Sequence, residues 1–157
     1  MQRGKANTMY KHILVATDGS ELANKGLEHA VALAKELNAK VTIVTVTDLF
    51  PTYGIVVAPG LSTTPEIFEE YRESMGDQAK TIVQQAISAA RDSGVTADGL
   101  HIENQSPAVG IVEAAEAQAA DLIVIASHGR RGMNKLLLGS QAAEVLSLSK
   151  VPVLVVK

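Results

Sequence analysis

Short apolar runs alternate along the chain with stretches in which apolar residues recur every three or four positions. His12 to Ala16 reads HILVA and is broken by Thr17-Asp18-Gly19-Ser20, the pattern of a buried strand bounded by a turn. Ser20 can cap a helix in which Leu27, Ala30, Val31 and Ala34 fall at i, i+3, i+4 and i+7. Val41 to Val46 is β-branched with Thr interleaved, which predicts a second strand. Thr64 then caps a long helix with Pro65 in its first turn. Its expected buried stripe is Phe68, Tyr71, Met75, Ala79, Ile82, Ala86 and Ala90, ending near Gly94. A weaker strand follows around Leu100 to Glu103. Ser106-Pro107 opens a third helix with Ala108, Val112, Ala115 and Ala119 inward. Leu122 to Ala126 (LIVIA) is the most apolar strand pattern. A Gly-rich connection leads from Ser127 to Ser140, a short helix and a last strand at Val153 to Val156.

Five strands and four helices in strict alternation predict an α/β fold: a single open sheet of five parallel strands with helices on both faces. Residue patterning leaves two strand orders open, 3-2-1-4-5 and 2-1-3-4-5. In either, a ligand belongs beyond the carboxyl ends of the strands, where the order reverses. Residues 1–8 are polar and read as a flexible extension, with Met9 an alternative start, and 9–157 form one domain. The connection from Asp48 to Thr64 carries Pro51, Gly54, Pro59 and Gly60. Its length and composition suggest either a cover that orders over a ligand or a flexible surface loop.

Composition narrows the function classes. Of 157 residues, 46% are hydrophobic but only 3% aromatic, so Val, Ile, Leu and Ala must build the core, as in a covered parallel sheet. The net charge of −3 argues against a surface built to hold nucleic acid. The chain has no cysteine, which excludes disulfides, thiolate metal sites and a cysteine nucleophile, and fits a reducing compartment. No apolar stretch reaches the ~18 residues of a membrane span, and no signal peptide precedes the first strand. A cytoplasmic protein that engages neither membrane nor nucleic acid is expected.

Several chemistries lack their residues. There is no G-x-G-x-x-G, P-loop, G-x-S-x-G elbow or H-E-x-x-H helix. A phosphoacceptor receiver domain would need an acidic pair after strand one and an Asp after strand three, where Asp18 stands alone and Asn104-Gln105 lie instead. His12, His29 and His101 read as surface or helix-face residues. His128 differs, because it follows a strand end inside a Gly-rich turn. Polar or small residues gather at three strand ends: Ala16-Thr17-Asp18, Val46-Thr47-Asp48 and Ala126-Ser127-His128-Gly129. Nine residues separate Gly129 from Gly139-Ser140. Gly129 would allow a tight turn that bares backbone amides. Gly139-Ser140 stands at a helix N-terminus, where unpaired N–H groups and the helix dipole favour anions. A phosphate chain could be held between them; alternatively the glycines only turn the chain and Ser140 only caps. Arg130, Arg131 and Lys135 add positive charge there, either attracting a polyphosphate or merely solvated.

The opening YKHILVATDGS, the ASHGRRG turn, the helix start LLLGS-x-AAEVL and the closing VPVLVVK together resemble the universal stress proteins, specifically their ATP-binding subgroup. The resemblance covers Met9 to Lys157. The family's nucleotide motif is G-x2-G-x9-G-[ST]; Gly129, Gly139 and Ser140 match it, while Ala126 stands where the family has its first glycine. The resemblance implies a Rossmann-like sheet of order 3-2-1-4-5 with ATP between the ends of strands one and four. It implies that Asp18 faces the ribose or a divalent cation, Mg or Mn, with Ala16 and Thr17 beside it. The backbone of Val46 would recognise adenine. Ala126, Ser127, His128, Gly129 and Arg130 would line the phosphate side, and Gly139, Ser140 and Gln141 would hold the phosphates. It also implies a homodimer joined through Val151 to Val156.

The expected function is ATP-dependent regulation in a stress response. No activated nucleophile is visible, so at most weak hydrolysis is expected. The alternatives are a slow ATPase or phosphotransferase using His128 or Asp18, and a member that binds no nucleotide and acts through protein contacts. Ala126 closes a strand pattern where ordinary extended backbone suits alanine, so it should weaken the nucleotide site without removing it.

Overall fold

The computed structural model describes residues 9–48, 65–103, 105–130 and 137–157. The extension at 1–8, the connection at 49–64, and Arg131 and Lys135 lie outside these residues. Strands β1 (His12–Ala16), β2 (Lys40–Thr47), β3 (Ala97–Glu103), β4 (Leu122–Ala126) and β5 (Val153–Val156) alternate with helices α1 (Glu21–Leu37), α2 (Pro65–Asp92), α3 (Pro107–Ala117) and α4 (Ser140–Leu148). All pairings are parallel and the order is β3-β2-β1-β4-β5. Of the two orders that patterning leaves open, this is the one the family resemblance implies.

The alternation of side chains along β1 explains the layers. Ile13 and Val15 pack with Leu27, Ala30 and Val31 of α1 and Val83 and Ile87 of α2. Leu14 and Ala16 point the other way, against Ile111 and Val112 of α3 and Ala142 and Val145 of α4. Every residue of β1 and β4 is therefore buried, which is why both read as unbroken apolar runs. Each fully buried Ile, Leu or Val contributes roughly 1.5–3 kcal/mol over its exposed state.

Helix α1 follows its pattern. Ser20 Oγ accepts the Ala23 N–H at 3.2 Å, the four predicted stripe residues are buried, and Asn38 closes the helix in the left-handed region. Helix α2 follows its expected stripe at Ala79, Ala86 and Ala90 and departs from it elsewhere. Its buried residues are Gly76, Ala79, Val83, Ala86, Ile87 and Ala90, whereas Phe68 is exposed and Tyr71, Met75 and Ile82 are only half-buried. Two causes combine. Gly99 of β3 has no side chain, and a Cβ there would lie 2.2 Å from Val83 Cγ1, so the helix settles on β3 through Val83 and Ile87. At 28 residues, α2 is also roughly 42 Å long, and its N-terminal turns run past the sheet. In α3, Ala119 is not inward: the helix stops at Ala117, and Ala119 is exposed at φ 51° while Ala120 is buried.

His12 is likewise no surface histidine. It is buried, with Nε2 2.7 Å from Thr42 Oγ1. Burial, helped by Lys40, pushes its pKa below the usual imidazole value.

Candidate functional site

The turn leaving β1 is built by its own side chains. Thr17 Oγ1 accepts the Gly19 N–H at 3.1 Å and Asp18 Oδ1 accepts the Ser20 N–H at 2.9 Å, two side-chain turns that bring the chain round into α1. Gly19 takes φ +75°. A Thr45 hydroxyl donates to Thr17 O at 2.8 Å, fixing this turn to β2.

The other oxygen of Asp18, Oδ2, accepts the backbone N–H of Arg130 at 2.9 Å. Asp18 thus clasps the loop after β4. This explains Gly129 differently from a tight turn: its φ is not positive, but a Cβ there would stand 2.6 Å from Asp18 Oδ2. Glycine serves close approach. Gly139 is similar, with φ −62° and ψ 152° and its N–H donating to Ser127 O at 2.7 Å. A Cβ at Gly139 would lie 2.8 Å from that same carbonyl oxygen. The start of α4 is in this way pressed against the end of β4.

Ala126 pairs with Val156 inside the sheet. Among the described non-glycine residues, only Asn38 and Ala119 have positive φ. Alanine therefore sits at 126 without backbone strain. Ser127 is buried, its Oγ 3.1 Å from His128 Nδ1. Gln141 is turned toward α3: its Oε1 accepts the Ala108 N–H at 2.9 Å. That bond supplies the cap that Ser106, with no side-chain bond of its own, does not provide.

These elements enclose a cavity of about 640 Å³ beyond the carboxyl ends of β1, β2 and β4, within the usual range of small-molecule sites. Ala16, Thr17, Asp18, Val46, Ala126, His128, Gly129, Arg130, Gly139, Ser140 and Gln141 all line it. Ser127 does not; it lies beneath, holding Gly139 through its carbonyl. Thr47, which the sequence places in the strand-end group, lines it too, as do residues that sequence reasoning did not assign to a site: Tyr71, Met75, Pro107, Ile111, Leu137 and Leu138. The projection of α2 beyond the sheet brings in Tyr71 and Met75, and only the helix's excess length could have signalled it.

The cavity has two chemically distinct ends. At one, the first turn of α4 presents N–H groups with no carbonyl partner in the helix. The dipole of α4, the Ser140 hydroxyl and Arg130 add to an environment suited to an anion. At the other, Val44, Val46, Tyr71, Met75 and Ile111 offer apolar surface for a flat group. Arg130 also borders a shallower hollow of about 670 Å³ along α2, where Glu70, Glu73 and Asp77 are solvated. Among the described residues, no three His, Asp or Glu side chains gather as a cation site, and no helix is long and apolar enough to cross a membrane.

Comparison with known proteins agrees with this arrangement. The model of the universal stress protein family matches residues 9–157. Universal stress protein MJ0531 of Methanocaldococcus jannaschii is 34% identical over 149 residues, covering 95% of this chain and 83% of the relative. YxiE of Bacillus subtilis is 34% identical over 151 residues, covering 95% of this chain and 100% of the relative. The structure of MJ0577, also from M. jannaschii, superposes with a TM-score of 0.78 at 30% identity, over 95% of this chain and 96% of that one. A universal stress protein solved in complex with cAMP superposes with a TM-score of 0.64 at 26% identity, over 93% and 95% of the two chains. Sheet order, the cavity at the sheet's reversal point and a match running from Met9 to Lys157 converge: this chain belongs to the universal stress protein family.

Proposed function

We propose that the chain is a nucleotide-binding regulatory protein that holds ATP in the cavity between the ends of β1 and β4. The observation that carries this reading is the division of the cavity into an anion end at α4 and an apolar end at Val46. A nucleoside polyphosphate has the same two halves. The phosphates lie at Gly139 and Ser140 and the base lies against Val46. The cAMP complex of a structural relative supports an adenine nucleotide.

Asp18 fits a divalent cation in one mode only. Both of its oxygens already accept a backbone N–H, yet each keeps a lone pair. A Mg²⁺ or Mn²⁺ ion would take this one carboxylate, water and the phosphate oxygens. It would neutralise phosphate charge. Gln141 contributes its backbone at the start of α4, since its side chain is engaged with α3.

Calorimetric titration of ATP with Mg²⁺ into wild type, Ala126→Gly and Gly139→Val tests the reading. Binding is expected in the first two, because Ala126 is unstrained, and lost in the third. No heat with wild type refutes it. Catalysis is not part of the proposal. His128 lines the cavity with its Nδ1 3.1 Å from Ser127 Oγ, and turnover of roughly 1 per second or more, abolished by His128→Ala, would make the protein an enzyme instead.

The same reading includes a homodimer through Val151 to Val156. β5 is an edge strand, and Leu154, Leu146 and Leu148 are exposed on it and on α4. An apolar edge is a template for strand pairing. Light scattering at micromolar concentration should report a dimer; a monomer rejects this part.

A further inference from the structure

At the apolar end of the cavity, Thr47 is tied into a chain of polar contacts that nothing described so far requires. Thr47 lines the cavity at the carboxyl end of β2. Its Oγ1 is 3.0 Å from His101 Nε2, on the neighbouring edge strand β3. The other ring nitrogen, His101 Nδ1, faces Glu103 Oε1 at 3.7 Å. On α2, Arg72 Nη1 stands 3.6 Å from Glu103 Oε2 and also pairs with Glu69, leaving Oε1 turned to the imidazole. Gly76 of α2 lies over the ring, where a Cβ would stand in ordinary contact with His101 Cε1 at 3.8 Å. The imidazole side chain is only 11% exposed, so water has little part in choosing its tautomer.

The charge order has a chemical consequence. A carboxylate beside Nδ1 favours the proton on that nitrogen, because an ionised carboxylate only accepts and attracts the N–H dipole. In the neutral ring Nε2 is then a bare lone pair. Its contact with Thr47 is satisfied by the threonine proton, so the hydroxyl donates to His101 and keeps only lone pairs for the cavity. In the opposite tautomer, His101 would donate to Thr47 and the hydroxyl proton would be free to face a ligand.

We propose that Thr47, set by His101 and Glu103, reads the nucleobase as a hydrogen-bond acceptor and selects a base with an exocyclic amino group at that edge, adenine, over one with a carbonyl there, guanine. This rests on the nucleotide-binding reading, which already places adenine at this end, and adds the side chain that excludes guanine. Guanine O6 would meet an oxygen with no proton to offer, leaving both acceptors unpaired in a partly dry site. Thr47 is the residue that touches the base; His101 and Glu103 are positioning residues that act through its hydroxyl.

The test compares ATP and GTP by calorimetry in wild type, Thr47→Ser and Thr47→Val, with circular dichroism to check folding. Valine is isosteric with threonine and suits a strand, so the fold should persist. Wild type and Thr47→Ser should favour ATP by about tenfold or more, the scale of one buried hydrogen bond, and Thr47→Val should bring the two ligands to within about threefold. Nitrogen NMR of His101 should show the proton on Nδ1 in wild type and a shift toward Nε2 in Glu103→Gln, with a smaller ATP preference. A wild-type ATP-to-GTP ratio in folded Thr47→Val, or a proton resident on Nε2 in wild type, overturns the proposal. Wild type that binds neither nucleotide overturns the nucleotide-binding reading itself, so the two failures are told apart.

Discussion

Replacing Gly139 with alanine adds one methyl group at the tightest point of the site. The backbone there is extended, φ −62° and ψ 152°, so alanine meets no conformational strain and any effect must come from space. The new Cβ would lie 2.8 Å from Ser127 O, 3.2 Å from His128 Cα and 3.3 Å from His128 Cβ. The first neighbour is a backbone atom at the end of a fully buried strand and cannot rotate away. Relief requires α4 to move off β4 by about 0.5 Å, given ordinary contacts near 3.5 Å. That movement stretches the 2.7 Å bond from Gly139 N–H to Ser127 O. Overpacking of this kind costs about 1–3 kcal/mol, and a weakened hydrogen bond adds up to about 1 kcal/mol. For a domain of this size a loss near 2 kcal/mol lowers Tm by roughly 4–8 °C. Thermal unfolding followed by circular dichroism reads the stability, and calorimetry with ATP reads the anion end. If Gly139→Ala melts within a degree of wild type and binds ATP equally well, close approach is not why glycine stands there.

Gly94→Ala probes the opposite cause. At φ +81° with no atom within 4 Å of a Cβ, it should cost about 1–2 kcal/mol through backbone strain alone, with Gly94→Asn milder; equal stability of both with wild type by urea denaturation would refute this. Gln141→Ala removes the acceptor of the Ala108 N–H and should cost about 1 kcal/mol, as loss of a helix cap does, and faster amide exchange at Ala108 is the check. His12 is held neutral in the fold with its pKa lowered by burial, whereas the unfolded chain protonates near pH 6.5. The stability it contributes is therefore complete above about pH 6.5 and lost as the pH falls through the lower folded value. His12→Gln should flatten the pH dependence of unfolding free energy on the acid side, and parallel curves for variant and wild type would exclude His12 as a cause.

What could be read from the residues follows how local the cause was. β1 and β4 are legible because burial on both faces removes every polar residue, and α1 is legible because its cap, stripe and terminal Asn38 act within one helix. Gly129, Gly139 and Ser140 stand out through their spacing, although the reason for the two glycines is contact with Asp18 and Ser127 rather than a turn. The expected face of α2 holds at Ala79, Ala86 and Ala90 but shifts onto Val83 and Ile87 elsewhere, because Gly99, on another element, decides how the helix lies. Ala119 faces solvent, against its pattern, because α3 ends two residues earlier. His12 and Gln141 take their roles from Thr42 and Ala108, partners about 30 residues away in sequence, which no local pattern reveals. Strand order itself came from family resemblance, since alternation is equally compatible with two topologies.

The clasp between Asp18 and the Arg130 amide spans 112 positions of the chain, and that separation sets a schedule. During synthesis Asp18 leaves the ribosome long before its partner exists; at roughly 5–20 residues per second the wait is about 6–22 s. In that interval β1 can zip to β2, and β2 to β3, but the other edge of β1 has only solvent or a neighbouring nascent chain to bond with. The cavity is consequently among the last features to be born. Any chain interrupted before Leu122 carries half of its walls and none of its anion end, so truncated products should be inert toward nucleotide and prone to pair with one another.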